Sequence, residues 1–431
     1  MRTALLAALA IAACGDDRIA IVPDAAPIAP THDDHRDILS TDLVVDLQAM
    51  TGTATITIAG SPSTGATFEI GDLELDGVTM NGAPLLYTDR GDRVDIGVPA
   101  SSGPIAITIA YRWHYWPDQE GASAAGWTLV WPYWCGHLFP CHSAPDDGTT
   151  FTLALEHAPP DQVAVYPRSI ASAAPSYQIA WAIGAYDELD LGTTSAGTHL
   201  HVWYTTKHAT AAAVGTAHLR DAFDWFEQTL GPYPFGDDVG SVEVAWGAGA
   251  FGGMEHHPYW HIGAPAIGDD VTHVHEAAHG WFGDGVRIAC WEDFVLSEGT
   301  VTYLAARAIG VFDATRGDQV WQRYAGQLAA IRADQPVWPD GCDTHDILAT
   351  KLFSQAPYLR GAFFYRGVAL KVGDAALDHA LAAFYQRYRG QAARMQDMLD
   401  VIRTDTGYDP TACAQMWLKD ASSVPAPGPC P

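Results

Sequence analysis

Two histidines with a glutamate beside the first stand at His275, Glu276 and His279, within THVHEAAHGWFGD, a run of about Thr272 to Asp284. On an α-helix, residues i and i+4 lie one above the other. The two imidazoles can therefore share one metal ion while Glu276 leans over its open side. Glu298 follows His279 with eighteen residues between them, at the start of a second helical pattern, SEGTVTYLAARA, behind Ser297. Two imidazoles and one carboxylate leave a tetrahedral zinc with a fourth position for water, the catalytic arrangement and not the structural one. A five-residue match also arises by chance on amphipathic helices. The Glu298 spacing, the WFGD continuation and the GGMEHH run upstream weigh against chance, so one zinc ion is the expected cofactor.

The chemistry such a centre offers is amide hydrolysis. Zinc lowers the pKa of bound water to about 7 and polarises a carbonyl; Glu276 is the expected general base. Asp284 and Asp293 are candidates to orient the imidazoles from behind. His256, His257, His261 and His273 crowd the same region. His273 lies two residues from His275, faces another way on a helix, and is read as a non-ligand. His256 and His257 either line a cleft or pack as ordinary histidines.

The elements that position these groups follow from the chain's patterns. At 431 residues the chain has room for two to three domains. It opens with MRTALLAALAIAACGDD, an apolar run too short for a stable span and suited to an export signal over 1–13. The small residues before Cys14 resemble a lipoprotein signal, so 14–37 reads as a lipidated cysteine and flexible linker. The expected location is the bacterial envelope, with membrane contact only through that lipid. A formal net charge of −28 excludes nucleic acid as a natural partner. Six cysteines remain beyond Cys14, an even number that suits disulfides in an exported protein. Cys135/Cys141 and Cys413/Cys430 are close enough to pair locally, leaving Cys290/Cys342, one of fifteen possible connectivities.

From about Ile38 to Thr206 apolar and polar residues alternate in short runs such as TATITIAG and PIAITIAYRW, separated by Gly, Pro, Asn and Asp clusters. Many short strands at close spacing predict an antiparallel sandwich over 38–206. The aromatic stretch Trp113–Cys141 is either core or a cleft wall. From about Lys207 the period becomes helical, first in TAAAVGTAHLRDAFDWFEQTLG and later in four amphipathic segments after Asp313. The second domain is thus 207–431.

HEAAHGWFGD, WEDFVLSEG and GGMEHH resemble the aminopeptidase N / leukotriene hydrolase family of gluzincin zinc metallopeptidases. LFPCHSAPDDGTTFTL is similar to that family's Phe-Pro-Cys segment, and PYPFGDDVGSVEV to its lead-in to the catalytic strand, so the resemblance runs from roughly Ile38 to Gly428. It implies an α+β fold: an N-terminal antiparallel β-sandwich followed by a thermolysin-like, mainly helical zinc catalytic domain. It also implies a two-domain form without the family's carboxy-terminal helical domain. By resemblance, His275, His279 and Glu298 bind zinc and Glu276 is the base. Glu255 holds a substrate α-ammonium, Tyr358 steadies the oxyanion, and Gly252, Gly253 and Met254 form a substrate-binding edge strand. Tyr365, seven residues on, is the rival to Tyr358.

Three features depart from that pattern. His256 stands where the family usually has Asn. Where the family often has a Gln or Glu upstream of the Phe-Pro-Cys segment as a second amine anchor, Val130–Trp134 offers only aromatic and apolar residues. Val295 and Ser297 replace the usual Trp and Asn before Glu298. The expected function is a zinc metallopeptidase removing amino-terminal residues from short peptides. The alternatives are a metallopeptidase not restricted to free amino termini and a non-catalytic, zinc-stabilised peptide-binding lipoprotein.

Overall fold

The computed structural model of the protein describes residues 27–247, 252–332 and 334–431. The expected signal, Cys14 and most of the expected linker lie outside these residues. Among the described residues no helix is long and apolar enough to cross a membrane.

The α+β architecture is present in both its parts. In Thr51–Ile58 every second residue is buried, because successive side chains of a strand point to opposite faces. Ala54, Ile56 and Ile58 join Ile107, Ile109, Phe68, Val94 and Ile96 in the core. The larger amino-terminal sheet has seven strands, in the order Ser169–Ala174, Thr149–Glu156, Ile38–Asp46, Thr51–Ile58, Ile105–Arg112, Glu74–Met80 and Ala83–Pro84. A three-stranded sheet of Gly65–Glu69, Arg93–Gly97 and Tyr87–Asp89 accompanies it. One pair departs from the expected antiparallel pattern: Ile38–Asp46 runs parallel to Thr149–Glu156.

The expected domain boundary at 206 does not fall where the sheets divide. Strands Tyr186–Thr193 and His199–Thr205, which alternation alone assigns to the sandwich, belong to a second, five-stranded sheet. Its order is Tyr186–Thr193, His199–Thr205, Asp238–Val244, Tyr259–Gly263 and Gly253–Met254. A period of two marks a strand but not the sheet it joins. The single helical run expected after Lys207 is two helices, Ala209–Gly215 and Leu219–Leu230. The Glu298 helix spans Phe294–Phe312 and is buried nearly all round, as a helix at the centre of a domain must be. The four later segments form helices Ala314–Leu328, Gln355–Val372, Asp374–Tyr388 and Met395–Thr406. The disulfides are Cys135–Cys141, Cys290–Cys342 and Cys413–Cys430.

Candidate active site

The metal helix is shorter than its sequence pattern. It spans Asp270–Ala278, and His279 is the residue that closes it. The i, i+4 relation survives: the imidazole centroids of His275 and His279 are 5.0 Å apart. Glu298 reaches both from its own helix, with Oε2 at 3.1 Å from His275 Nε2 and 3.5 Å from His279 Nε2. Bonds of about 2.0–2.2 Å around a tetrahedral zinc place neighbouring donors about 3.3 Å apart. The three donors therefore fit one ion, and their chemistry, two imidazole nitrogens and a carboxylate oxygen, suits zinc.

The imidazoles are aimed by groups other than Asp284 and Asp293. His279 Nδ1 donates to the Phe282 carbonyl at 3.0 Å, which leaves Nε2 as the lone-pair side. His275 Nδ1 faces Thr302 Oγ1 at 3.5 Å, and that hydroxyl donates to the Glu298 carbonyl at 2.6 Å. Asp293 instead accepts from Trp338 Nε1 at 2.9 Å, from the Met395 backbone N–H at 3.0 Å and from Arg394. It ties the start of the Glu298 helix to the closing helices. Asp284 is buried against the Tyr177 hydroxyl.

The surroundings are strongly negative. Glu276 and Glu255 are both buried, and each offers an oxygen to the cluster around His279. Burial pushes the Glu276 carboxyl well above its ordinary value, with Glu255 and Glu298 adding to the rise. Burial lifts Glu255 to about 7. Burial alone would lower His279, but Glu255 and Glu298 raise it to about 10. Glu298 is held at about 2, His279 and His275 outweighing its burial. A field that stabilises an imidazolium is one that welcomes a divalent cation.

These groups open into a cleft of about 480 Å³. Gly252, Gly253, Met254 and Glu255 line one side, and Tyr358 the other. Gly253 pairs with Ile262 at the edge of the five-stranded sheet, and a Cβ there would collide with the Glu276 side chain. Only glycine lets the edge strand pass so close to the base. Tyr358 stacks on His275, centroids 5.9 Å apart and rings 17° from parallel. Its rival Tyr365 is buried in the core with its hydroxyl accepting from Thr300 Oγ1 at 2.8 Å, out of reach of the cleft.

The neighbouring histidines divide as structural parts. His273 bonds Ser241 Oγ at 2.7 Å and the Ile267 carbonyl at 2.9 Å, consistent with a non-ligand. His257 does not line the cleft. Its Nε2 donates to the Glu276 carbonyl at 2.8 Å and its Nδ1 accepts from the Tyr233 hydroxyl at 2.6 Å, a strut behind the metal helix. His256 packs on His261, with Nδ1 atoms 3.1 Å apart. Sequence reasoning did not single out Trp131, Thr302, Arg323, Gln327 or Phe353, all of which line the cleft. Thr302 had a signal, standing four residues after Glu298 on one helix face. Trp131 lay in the aromatic stretch.

Comparison with known proteins agrees with this geometry. Residues 269–417 match the family described as Peptidase family M1 domain. Aminopeptidase N of Streptomyces lividans is 28% identical over 226 residues, 47% of this chain and 25% of that protein. Aminopeptidase B of Rattus norvegicus is 26% identical over 296 residues, 61% of this chain and 43% of that protein. The chain thus spans less than half the length of these curated relatives. An M1 zinc metallopeptidase from Deinococcus radiodurans shares the fold, with a TM-score of 0.77 at 20% identity, over 93% of this chain and 98% of that one. Aminopeptidase A of Legionella pneumophila superposes with a TM-score of 0.76 at 16% identity, over 92% of this chain but 51% of that one. The donor triad, the edge strand and the domain order agree with the match of residues 269–417 to the peptidase family M1 domain and with the two-domain fold of a solved M1 zinc metallopeptidase, TM-score 0.79 at 19% identity.

Proposed function

We propose that the protein is a zinc-dependent aminopeptidase acting on short peptides. The observation that carries this reading is the convergence of His275, His279 and Glu298 beside two further buried carboxylates, Glu276 and Glu255, in one cleft. Similarity to aminopeptidases supports it. So does an M1 zinc metallopeptidase of Deinococcus radiodurans, solved as a mutant bound to a Tyr-Ser-Ala substrate.

His275, His279 and Glu298 would hold the zinc, which when bound supplies an activated water and a polarised carbonyl. The peptide lies along the Gly252–Met254 edge as an added strand. Glu255 receives its α-ammonium. Glu276 takes the water's proton and passes it to the leaving nitrogen, a role typically worth about 10²–10⁴-fold. The Tyr358 hydroxyl donates to the developing oxyanion. Leucine amide set against N-acetyl-leucine amide tests the reading. Hydrolysis confined to the free amine is expected; equal cleavage of both would overturn it in favour of a metallopeptidase indifferent to free amino termini.

We also propose export and lipidation at Cys14. The apolar run before Cys14 and the three disulfides support it. Mass spectrometry of the mature amino terminus is expected to find a diacylglyceryl cysteine, and a retained Met1 would contradict the proposal.

A further inference from the structure

The cleft has two chemically different ends. Glu255 lies at the His279 end of the metal helix, with a carboxylate oxygen within 4.8 Å of donor atoms of Glu276 and His279. The opposite end is the start of that helix, where Asp269 precedes Asp270. There Arg323 Nη1 donates to Asp269 Oδ1 at 2.9 Å, while Thr272 Oγ1 donates to Asp269 Oδ2 at 2.8 Å. Arg323, Asp269 and Thr272 all line the cleft. Among the described residues that line it, Arg323 is the only lysine or arginine; the acids are Glu255, Asp269, Glu276 and Glu298.

Arg323 is not used up by its ion pair. A guanidinium carries five N–H donors in a planar fork. The Arg323 Nε is buried without a hydrogen-bond partner, and its side chain is about one-third exposed (36%). Asp269 and the Tyr324 ring, 5.9 Å from the guanidinium carbon, hold it in place.

Spacing decides what the spare donors meet. Asp269 stands six residues before His275, about 9 Å along the helix at 1.5 Å per residue. An extended peptide advances about 3.3 Å per residue, so a carboxylate two residues beyond the scissile carbonyl arrives about 7 Å away, and the arginine's own reach covers the remainder. On the aminopeptidase reading, the amino end is at Glu255 and the chain runs toward Asp269.

We propose that Arg323 receives the α-carboxylate of the substrate, so that the cleft clamps a tripeptide at both ends. Without that partner a carboxylate entering among four acids would be repelled. With it, an Arg–carboxylate fork both attracts and orients the peptide. Arg323 is thus a specificity-determining residue for length and for a free carboxyl terminus.

The test compares Leu-Gly-Gly, Leu-Gly-Gly-amide and leucine amide on the wild-type protein and on Arg323→Met and Arg323→Lys. The wild type is expected to favour Leu-Gly-Gly over its amide by about tenfold in kcat/KM, mostly through KM. In Arg323→Met the ratio falls to about one while leucine amide turnover stays within about twofold, and Arg323→Lys is intermediate. A wild type that treats acid and amide alike overturns the proposal and needs no variant to fold. Equal losses on all three substrates in Arg323→Met also overturn it, since a structural ion pair would act that way. Failure to cleave leucine amide at all would instead sink the aminopeptidase reading beneath it.

Discussion

The Tyr358 hydroxyl has one task in this account, and its removal isolates that task. The ring is braced on His275, so Tyr358→Phe keeps the packing and loses only the donor. The expected result is a fall in kcat of about 10²–10³ with zinc content and KM for leucine amide little changed. Glu255 is the proposed seat of the substrate's α-ammonium, so its removal should act on binding. Glu255→Gln should raise KM for free-amine substrates and narrow the preference over acetylated ones, read from paired kcat/KM values. The two histidines proposed to hold zinc were legible because i, i+4 spacing on a helix is a geometric statement. The groups that aim the imidazoles were not. A backbone carbonyl at Phe282 has no residue-type signature, and conspicuous acids at Asp284 and Asp293 drew attention that packing gives to Tyr177, Trp338 and Arg394. Tyr365 shared a helical face with Tyr358 on spacing alone; burial separates them.

At the scale of elements, one crossing sets the distance between Glu298 and Tyr358. The helices Phe294–Phe312 and Gln355–Val372 meet at Gly299 and Gly361, where a Cβ on Gly299 would stand 2.7 Å from the Gly361 Cα. Each glycine follows its functional residue within one turn. Gly361→Ala should therefore cost about 1–3 kcal/mol by overpacking, measured by urea unfolding, and should lower kcat as the two side chains move apart. A second contact fixes the loop after Cys342. Glu292 is buried and accepts from the Thr344 backbone N–H at 2.8 Å, Thr344 Oγ1 at 2.7 Å and the Asp343 backbone N–H at 3.1 Å. Burial alone would raise this carboxyl; the Thr344 bonds and His345 outweigh burial and hold it at about 2. A depressed pKa gives stability that is whole above the unfolded value near 4.5 and is lost as pH falls toward 2. The unfolding free energies of wild type and Glu292→Gln should differ at pH 7, and the gap should shrink at pH 3. Helix existence was readable from the 3.6-residue period, whereas the break at Thr216–His218 and the shortened metal helix were not. Both are ends set by tertiary contacts, and periodicity carries through such ends.

The whole molecule joins its two parts at the active site. Trp131, from the aromatic stretch between the sandwich strands Ile105–Arg112 and Thr149–Glu156, lines the cleft and packs against Phe353 at a tilt of 59°, centroids 4.7 Å apart. Gln178 Nε2 donates to the His257 carbonyl at 3.1 Å, and Arg287 Nη1 to the Ala173 carbonyl at 2.9 Å. Strand alternation announced the sandwich, but the share of strands between the two sheets follows from which edge offers a partner, a property of the folded chain. Because the triad links two helices, the metal should also support the fold: dialysis against a chelator is expected to abolish hydrolysis and lower Tm, with both restored by zinc. The most direct test of the central claim is leucine amide turnover by Glu276→Gln beside wild type at matched, measured zinc content. One zinc per chain in both, with turnover in the variant lower by at least about 10², is the predicted result. Equal turnover at equal zinc, or a wild type that binds no zinc, would contradict it.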